Sequence, residues 1–128
     1  KGLSGKYNDI RDIQSAADSG DANARLALEV FVKSVRHWIG AYMVQLNGLD
    51  ALVFTAGIGE NRAEIRAEIC ANMDQIGIEL DPSKNGSIKA EEAIISSENS
   101  TVKVLVIPTN EELVVAREVK RFLENKQN

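Results

Sequence analysis

Two short stretches hold residue types at spacings that chemistry could use: TAGIGEN at residues 55–61 and PTNEE at residues 108–112. In the first, Gly57 and Gly59 allow a backbone to approach a ligand closely, and the free amides of a following helix start favour a phosphate or another anion. The spacing excludes two common nucleotide motifs. A dinucleotide fingerprint needs a glycine where Arg62 stands, and a P-loop needs Gly-Lys-Ser/Thr. A tight strand-to-helix turn that uses glycine for positive φ is the competing explanation. In the second stretch, Glu112 is explained by helix capping. Glu111 has no such duty and is suited to hold Mg²⁺ directly or through water, unless it serves only as an acid on the helix dipole.

The other polar residues offer less. His37 is the only histidine and lies mid-helix beside Trp38, with no nucleophile or second ligand at helical spacing. Cys70 is the only cysteine, falls within a helical pattern, and reads as a small packed residue. It excludes an intrachain disulfide and favours a reducing compartment, with the cytoplasm as default. Asp9, Arg11, Asp12 and Asp21 surround the first helical segment, where Arg11 has a guanidinium able to stack on a ring or base.

These candidates need elements to position them. The run ALVF, 51–54, is a short apolar strand leading into the glycine turn, and a helix is expected from Arg62 with Asn61 as cap and Glu64 at the third position. The run VKVLVIPT, 102–109, is β-branched and apolar nearly throughout, as a strand covered on both faces would be. Thr109 is then expected to cap a last helix, with Glu112 completing a capping box and Leu113, Val114, Ala116, Val119 and Phe122 on its apolar face. Glu111 and Glu112 at its start, with Lys120, Arg121 and Lys126 later, suit the helix dipole. Upstream, DIRDIQSAAD reads as a short helix ended by Gly20. From Asp21 a longer one runs to Leu46, with Leu28, Phe31, Val35, Trp38, Ile39 and Tyr42 at core spacing. Residues 77–101 read as an irregular hairpin-like excursion. Its turns fall at Asp81-Pro82 and Asn85-Gly86, and its strand candidates at 78–80 and 93–96.

The order helix, strand, helix, excursion, strand, helix predicts an α/β fold with parallel neighbouring strands, whose carboxyl-end loops face one crevice. Two central strands are too few to be buried on both faces, so further strands are expected before Lys1, and the glycine-containing start without Met reads as the middle of a loop. The 128 residues carry 15 Lys and Arg against 19 Asp and Glu, giving a net charge of -4. That balance argues against nucleic acid or an anionic membrane as partner. No apolar run is long enough to span a bilayer, and the amino terminus lacks a signal-peptide pattern.

Taken together, FTAGIGENRAEIR and VKVLVIPTNEELVVARE, preceded by GLSG, NDIRD and LDALVF, resemble the carboxyl-terminal part of the acetate kinase family. Propionate kinase and related short-chain carboxylate kinases share much of the pattern. The resemblance implies an α/β, ribonuclease H-like fold of the acetate and sugar kinase, chaperone and actin superfamily, here a partial domain with parallel central strands and long helices. Residues 1–128 would be the carboxyl-terminal portion of the second acetate kinase domain, with its preceding strands and the first domain absent. The implied function is ATP:acetate phosphotransfer, reversibly forming acetyl phosphate and ADP, with ATP or ADP and Mg²⁺ as cofactors, in a cytoplasmic homodimer.

Carried over by resemblance, the adenosine side comprises Asp9, Ile10, Arg11, Gly57, Ile58, Asn61 and Ile65, with Gly59 in the same turn, and Glu111 is the Mg²⁺-associated residue. Family members often have Phe or Met where this chain has Ile10. The family's phosphoryl-gripping arginines, its catalytic aspartate and histidine, and its acyl pocket have no counterpart here. No catalytic residue is assigned, and the chain alone is expected to be inactive. The alternatives are propionate or another short-chain acid as substrate, or a non-catalytic nucleotide-binding or dimerisation module. An actin-like or chaperone ATPase piece fits the architecture but not PTNEE.

Overall fold

The computed structural model describes residues 1–88 and 91–125, apart from the side chains of Glu111 and Asn125. Two helices come first, α1 (Ile10–Asp18) and α2 (Ala22–Leu46), packed on each other. Each begins at an aspartate whose carboxylate accepts amide hydrogens that a first turn leaves unpaired. Asp9 accepts from the Arg11 N–H, and Asp21 from those of Asn23 and Ala24. α2 ends where Asn47 turns left-handed at φ 56° and the Gly48 N–H donates back to the Met43 carbonyl, at 2.9 Å.

β1 (Ala51–Phe54) follows and lies parallel to β3 (Lys103–Val106), with Phe54 opposite Val106. β2 (Ala93–Ile94) pairs antiparallel to β3, so the three-stranded order is β1-β3-β2. Between β1 and β2 run α3 (Ala56–Asn61), α4 (Ala63–Cys70), a 3-10 turn at Asp74–Ile76, and α5 (Pro82–Ser87). α6 (Glu111–Asn125) closes the described chain. The core lies where Leu28 and Val32 of α2 and Ile65 and Ile69 of α4 meet Val104 and Val106 of β3. No helix among the described residues is long and apolar enough to cross a membrane.

Several expectations change. The turn pairs Asp81-Pro82 and Asn85-Gly86 form a helix: Asp81 caps it by accepting from the Ser83 and Lys84 amides, and Pro82 occupies a first-turn position where no N–H is needed. The strand candidate 78–80 contributes only a bridge between Leu80 and Ser96. The long helix is not a core helix throughout. Only Ala24, Leu28 and Val32 are buried, whereas Trp38, Tyr42 and Leu46 lie exposed. β1 is covered mainly at Phe54, with Val53 exposed, and the apolar residues of α6, Leu113, Val114 and Val119 among them, also face outward. Lys126 lies outside the described residues.

Candidate functional site

Because β1 and β3 are adjacent and parallel, the segments after Phe54 and Val106 leave the sheet at the same end. The Ile107 N–H donates to the Phe54 carbonyl at 2.9 Å as they part. The chain turns from β1 into α3 at Ala56, whose φ of 59° is left-handed. For a residue with a Cβ this conformation costs on the order of 1–3 kcal/mol. The expected turn glycines do not carry it: neither Gly57 nor Gly59 has positive φ, and TAGIGEN is a short helix rather than a glycine turn. Gly59 is needed for packing, since a Cβ there would stand 3.2 Å from the Phe54 carbonyl carbon. A Cβ on Gly57 would meet nothing within 4 Å.

That open face of Gly57 borders two cavities. One, of about 530 Å³, is lined by Ile10, Arg11, Gly57, Ile58, Asn61 and Arg62. The other, of about 400 Å³, is lined by Ala56, Gly57, Glu60, Thr109, Asn110 and Glu112. The structure thus brings Ile10, Arg11, Gly57, Ile58 and Asn61 around one cavity, and sets TAGIGEN and PTNEE around the next. Asn61 is not a helix cap; its Nδ2 donates back to the Gly57 carbonyl at 3.0 Å, and Arg62 precedes α4 without a side-chain cap bond. Ile65 lies in the core at 2% exposure, and Gly59 faces Phe54, so these two support the site from behind.

Asp9 acts on the cavity through Arg11. Its carboxylate accepts from Arg11 Nε at 3.0 Å and Nη2 at 2.6 Å, aligning an otherwise exposed guanidinium. The side-chain bond to Arg11, reinforced by the Arg11 N–H, lowers the Asp9 pKa to about 2.

Glu111 opens α6, but its side chain lies outside the described residues. Thr109 is not the cap of that helix. Asn110 is, its Oδ1 accepting from the Leu113 N–H at 2.9 Å; the cap stands one residue later than expected, and with Leu113 at the third position the expected capping box of Thr109 and Glu112 does not form. Thr109 is engaged instead by Glu60. The Glu60 Oε1 accepts from the Thr109 N–H at 2.8 Å and from its hydroxyl at 3.1 Å. The Thr109 amide chiefly, against the opposing effect of burial and helped by the Thr109 hydroxyl and Ala56 N–H, holds the Glu60 carboxyl below its ordinary range.

Sequence reasoning also passed over Arg66 and Asn85. Arg66 is fully buried; Nη1 donates to the carbonyls of Gly59 at 2.8 Å and Glu60 at 2.9 Å, while Nε and Nη2 donate to Asn85 Oδ1 and its carbonyl at 2.7 and 2.8 Å. Asn85 in turn donates to the Ala63 carbonyl at 2.9 Å. A cation at the carbonyl end of α3 both satisfies its last acceptors and suits its dipole. The available signal was an arginine placed on the apolar stripe with Ile65, Ile69 and Cys70. Among the described residues no group of three or more His, Cys, Asp or Glu is placed to hold a metal ion.

Residues 1–117 match a family model described as the acetokinase family. The acetate kinase of Acetivibrio thermocellus is 54% identical over 97% of this chain and 31% of that protein, and that of Methanosarcina mazei is 51% identical over 98% and 30%. Among solved structures, Porphyromonas gingivalis acetate kinase superposes with a TM-score of 0.84 at 36% identity, over 95% of this chain and 31% of that one. A propionate kinase from Francisella tularensis superposes with a TM-score of 0.79 at 44% identity, over 91% and 29%. The chain therefore spans under a third of the length of these relatives.

Proposed function

The chain belongs to the acetokinase family, and from that membership we propose that its full-length protein transfers a phosphoryl group reversibly between ATP and acetate, giving acetyl phosphate and ADP. In this reading residues 1–128 are the carboxyl-terminal portion of the second domain and supply the nucleotide side of the site. The observation that carries it is the pair of adjoining cavities that share Gly57 at the carboxyl ends of two parallel strands, the place where open α/β sheets bind ligands. The cavity beside Ile10, Ile58 and Arg11 takes the adenosine: two aliphatic side chains flank a base, and the guanidinium held by Asp9 stacks or donates at its edge. The cavity beside Ala56 and Thr109 takes the phosphates.

Mg²⁺ fits the donor chemistry there, because it is held by one or two carboxylates together with waters and substrate phosphates rather than by an all-protein cage. Glu111 would hold it; the next residue, Glu112, lines the phosphate cavity. Bound, the ion would neutralise phosphate charge as the acetate carboxylate displaces ADP from the γ-phosphorus. The acyl pocket and the groups that grip the transferring phosphoryl are assigned to the rest of the protein. The acid therefore follows from family resemblance, and the likeness to a propionate kinase keeps propionate as the second reading. A homodimer, with Trp38 and Tyr42 of α2 at or near its interface, accounts for their exposure, 56% and 55%.

The test is a hydroxamate assay of the full-length protein with ATP and either acetate or propionate. Acetyl phosphate is expected as the preferred product. Preference for propionate would transfer the assignment to the second reading, and no acyl phosphate from either would overturn both.

A further inference from the structure

We propose that Glu60 is a positioning residue that couples the two segments of the site, fixing the loop that leads into α6 to α3. Its backbone and side chain face different partners. From behind, Arg66 holds the Glu60 carbonyl together with that of Gly59, anchored through Asn85 to the start of α4. In front, a single carboxylate oxygen receives both donors of Thr109, a residue 49 positions away in the chain. Thr109 precedes Asn110, whose side chain caps α6 and so sets where Glu111 begins the helix. The path from buried arginine to helix cap passes through this one carboxylate, on a residue that is 8% exposed.

Two donors on one oxygen fix distance and direction together, unlike a surface ion pair between flexible side chains. Resting on the acetate kinase reading, the consequence is specific: Glu60 sets the register between the adenosine cavity and the phosphate cavity without touching the reacting atoms. A misplacement of about 1 Å can cost about 100-fold in rate while leaving nucleotide contacts intact.

The experiment compares Glu60→Ala, Glu60→Gln, Thr109→Val and the Glu60→Ala/Thr109→Val pair in the full-length protein. It reads kcat, KM for ATP, melting temperature, and hydrogen exchange of the Thr109 amide. Glu60→Ala should lower kcat by about tenfold or more, with KM for ATP within about threefold. Glu60→Gln should recover most of the loss, because an amide oxygen in the same place still accepts both donors. Thr109→Val should lower kcat in the unaltered protein yet add little in the Glu60→Ala background.

A loss shared equally by kcat and KM, a Gln variant no better than Ala, or additive effects would overturn the coupling. So would a lowered melting temperature with unchanged kcat in the folded fraction. If Glu60→Ala does not fold, Thr109→Val against Thr109→Ser decides, since only serine keeps the hydroxyl donor. An unaltered protein inert toward acetate and propionate would overturn the kinase reading alone. Thr109 amide protection, expected to fall in Glu60→Ala, still tests the contact, and unchanged protection would overturn the inference.

Discussion

Gly57 and Gly59 sit two residues apart and do different jobs, a difference that composition does not reveal. At Gly57 the space beside Cα is open and φ is ordinary, so Gly57→Ala should leave stability unchanged or raise it by up to about 1 kcal/mol through helix propensity, while narrowing the mouth shared by both cavities. Gly59→Val should force its side chain against the Phe54 backbone and destabilise the fold by about 1–3 kcal/mol. Melting curves and ADP calorimetry on the full-length variants distinguish the two: weaker ADP binding is expected from Gly57→Ala, and a lower melting temperature from Gly59→Val. Asp9 gives a pH test. With its pKa lowered to about 2 by Arg11, its contribution to the α1 cap is present above the ordinary carboxylate range and is lost only as pH falls through that value. An NMR titration of the Asp9 carboxyl should show a midpoint near there, and a midpoint close to 4 would contradict the Arg11 pairing. Cys70, buried with its thiol pushed up to about 11 by desolvation, should resist alkylation at pH 8 until the protein unfolds. The Asp21 cap was legible in the sequence because it depends on neighbours within a turn, and Cys70 was legible as a packed residue because it falls within a helical pattern. The partners of Glu60 and Arg66 were not, because the residues that satisfy them lie far along the chain.

At the scale of elements, legibility follows the same division. β1 and the helices near Asp9 and after Asp21 have apolar patterns clear enough that they stand where the sequence places them. α3 does not, because AGIGEN has poor helix propensity; its helical turn is held by Arg66 on its last carbonyls and by Glu60 on Thr109. α5 was missed for the opposite reason: Asp-Pro serves equally as a turn and as a cap followed by the first helical residue. The start of α6 was displaced by one because Thr109 and Asn110 are both good caps, and Glu60, brought in by the parallel pairing of β1 with β3, takes the threonine. Arg66→Met is therefore expected to cost about 3 kcal/mol or more. It leaves carbonyls of α3 and α5 buried without donors, each such loss costing about 1–3 kcal/mol. Urea denaturation measures it, and a loss under about 1 kcal/mol would show that water or another side chain replaces the guanidinium.

For the whole molecule, the exposed apolar residues of α6 form a face that no described residue is shown to cover. Val115 and Val119 of α6 are 63% and 53% exposed, an arrangement that an amphipathic helix maintains against a partner surface rather than against water. The relatives extend well beyond this chain, and we propose that their additional length covers this face. The proposed function bears on activity in the same way. Phosphoryl transfer needs the nucleotide, the metal and the acceptor carboxylate held together while charge develops on the transferring group. The described chain provides cavities beside Gly57 and an ordered Arg11, but no assigned acyl pocket and no assigned group on the γ-phosphate. Residues 1–128 alone should therefore make no acetyl phosphate from ATP and acetate, while retaining weak ADP binding if α1, α3 and the β1-β3 pair stay folded. Supplying the remaining portion of the protein in trans should restore turnover where the two pieces associate, because covering α6 and completing the site are then the same event. A hydroxamate assay and ADP calorimetry on the purified chain, with and without that portion, provide the measurement. ATP-dependent acetyl phosphate from residues 1–128 alone would place the catalytic groups within this chain and overturn their assignment elsewhere.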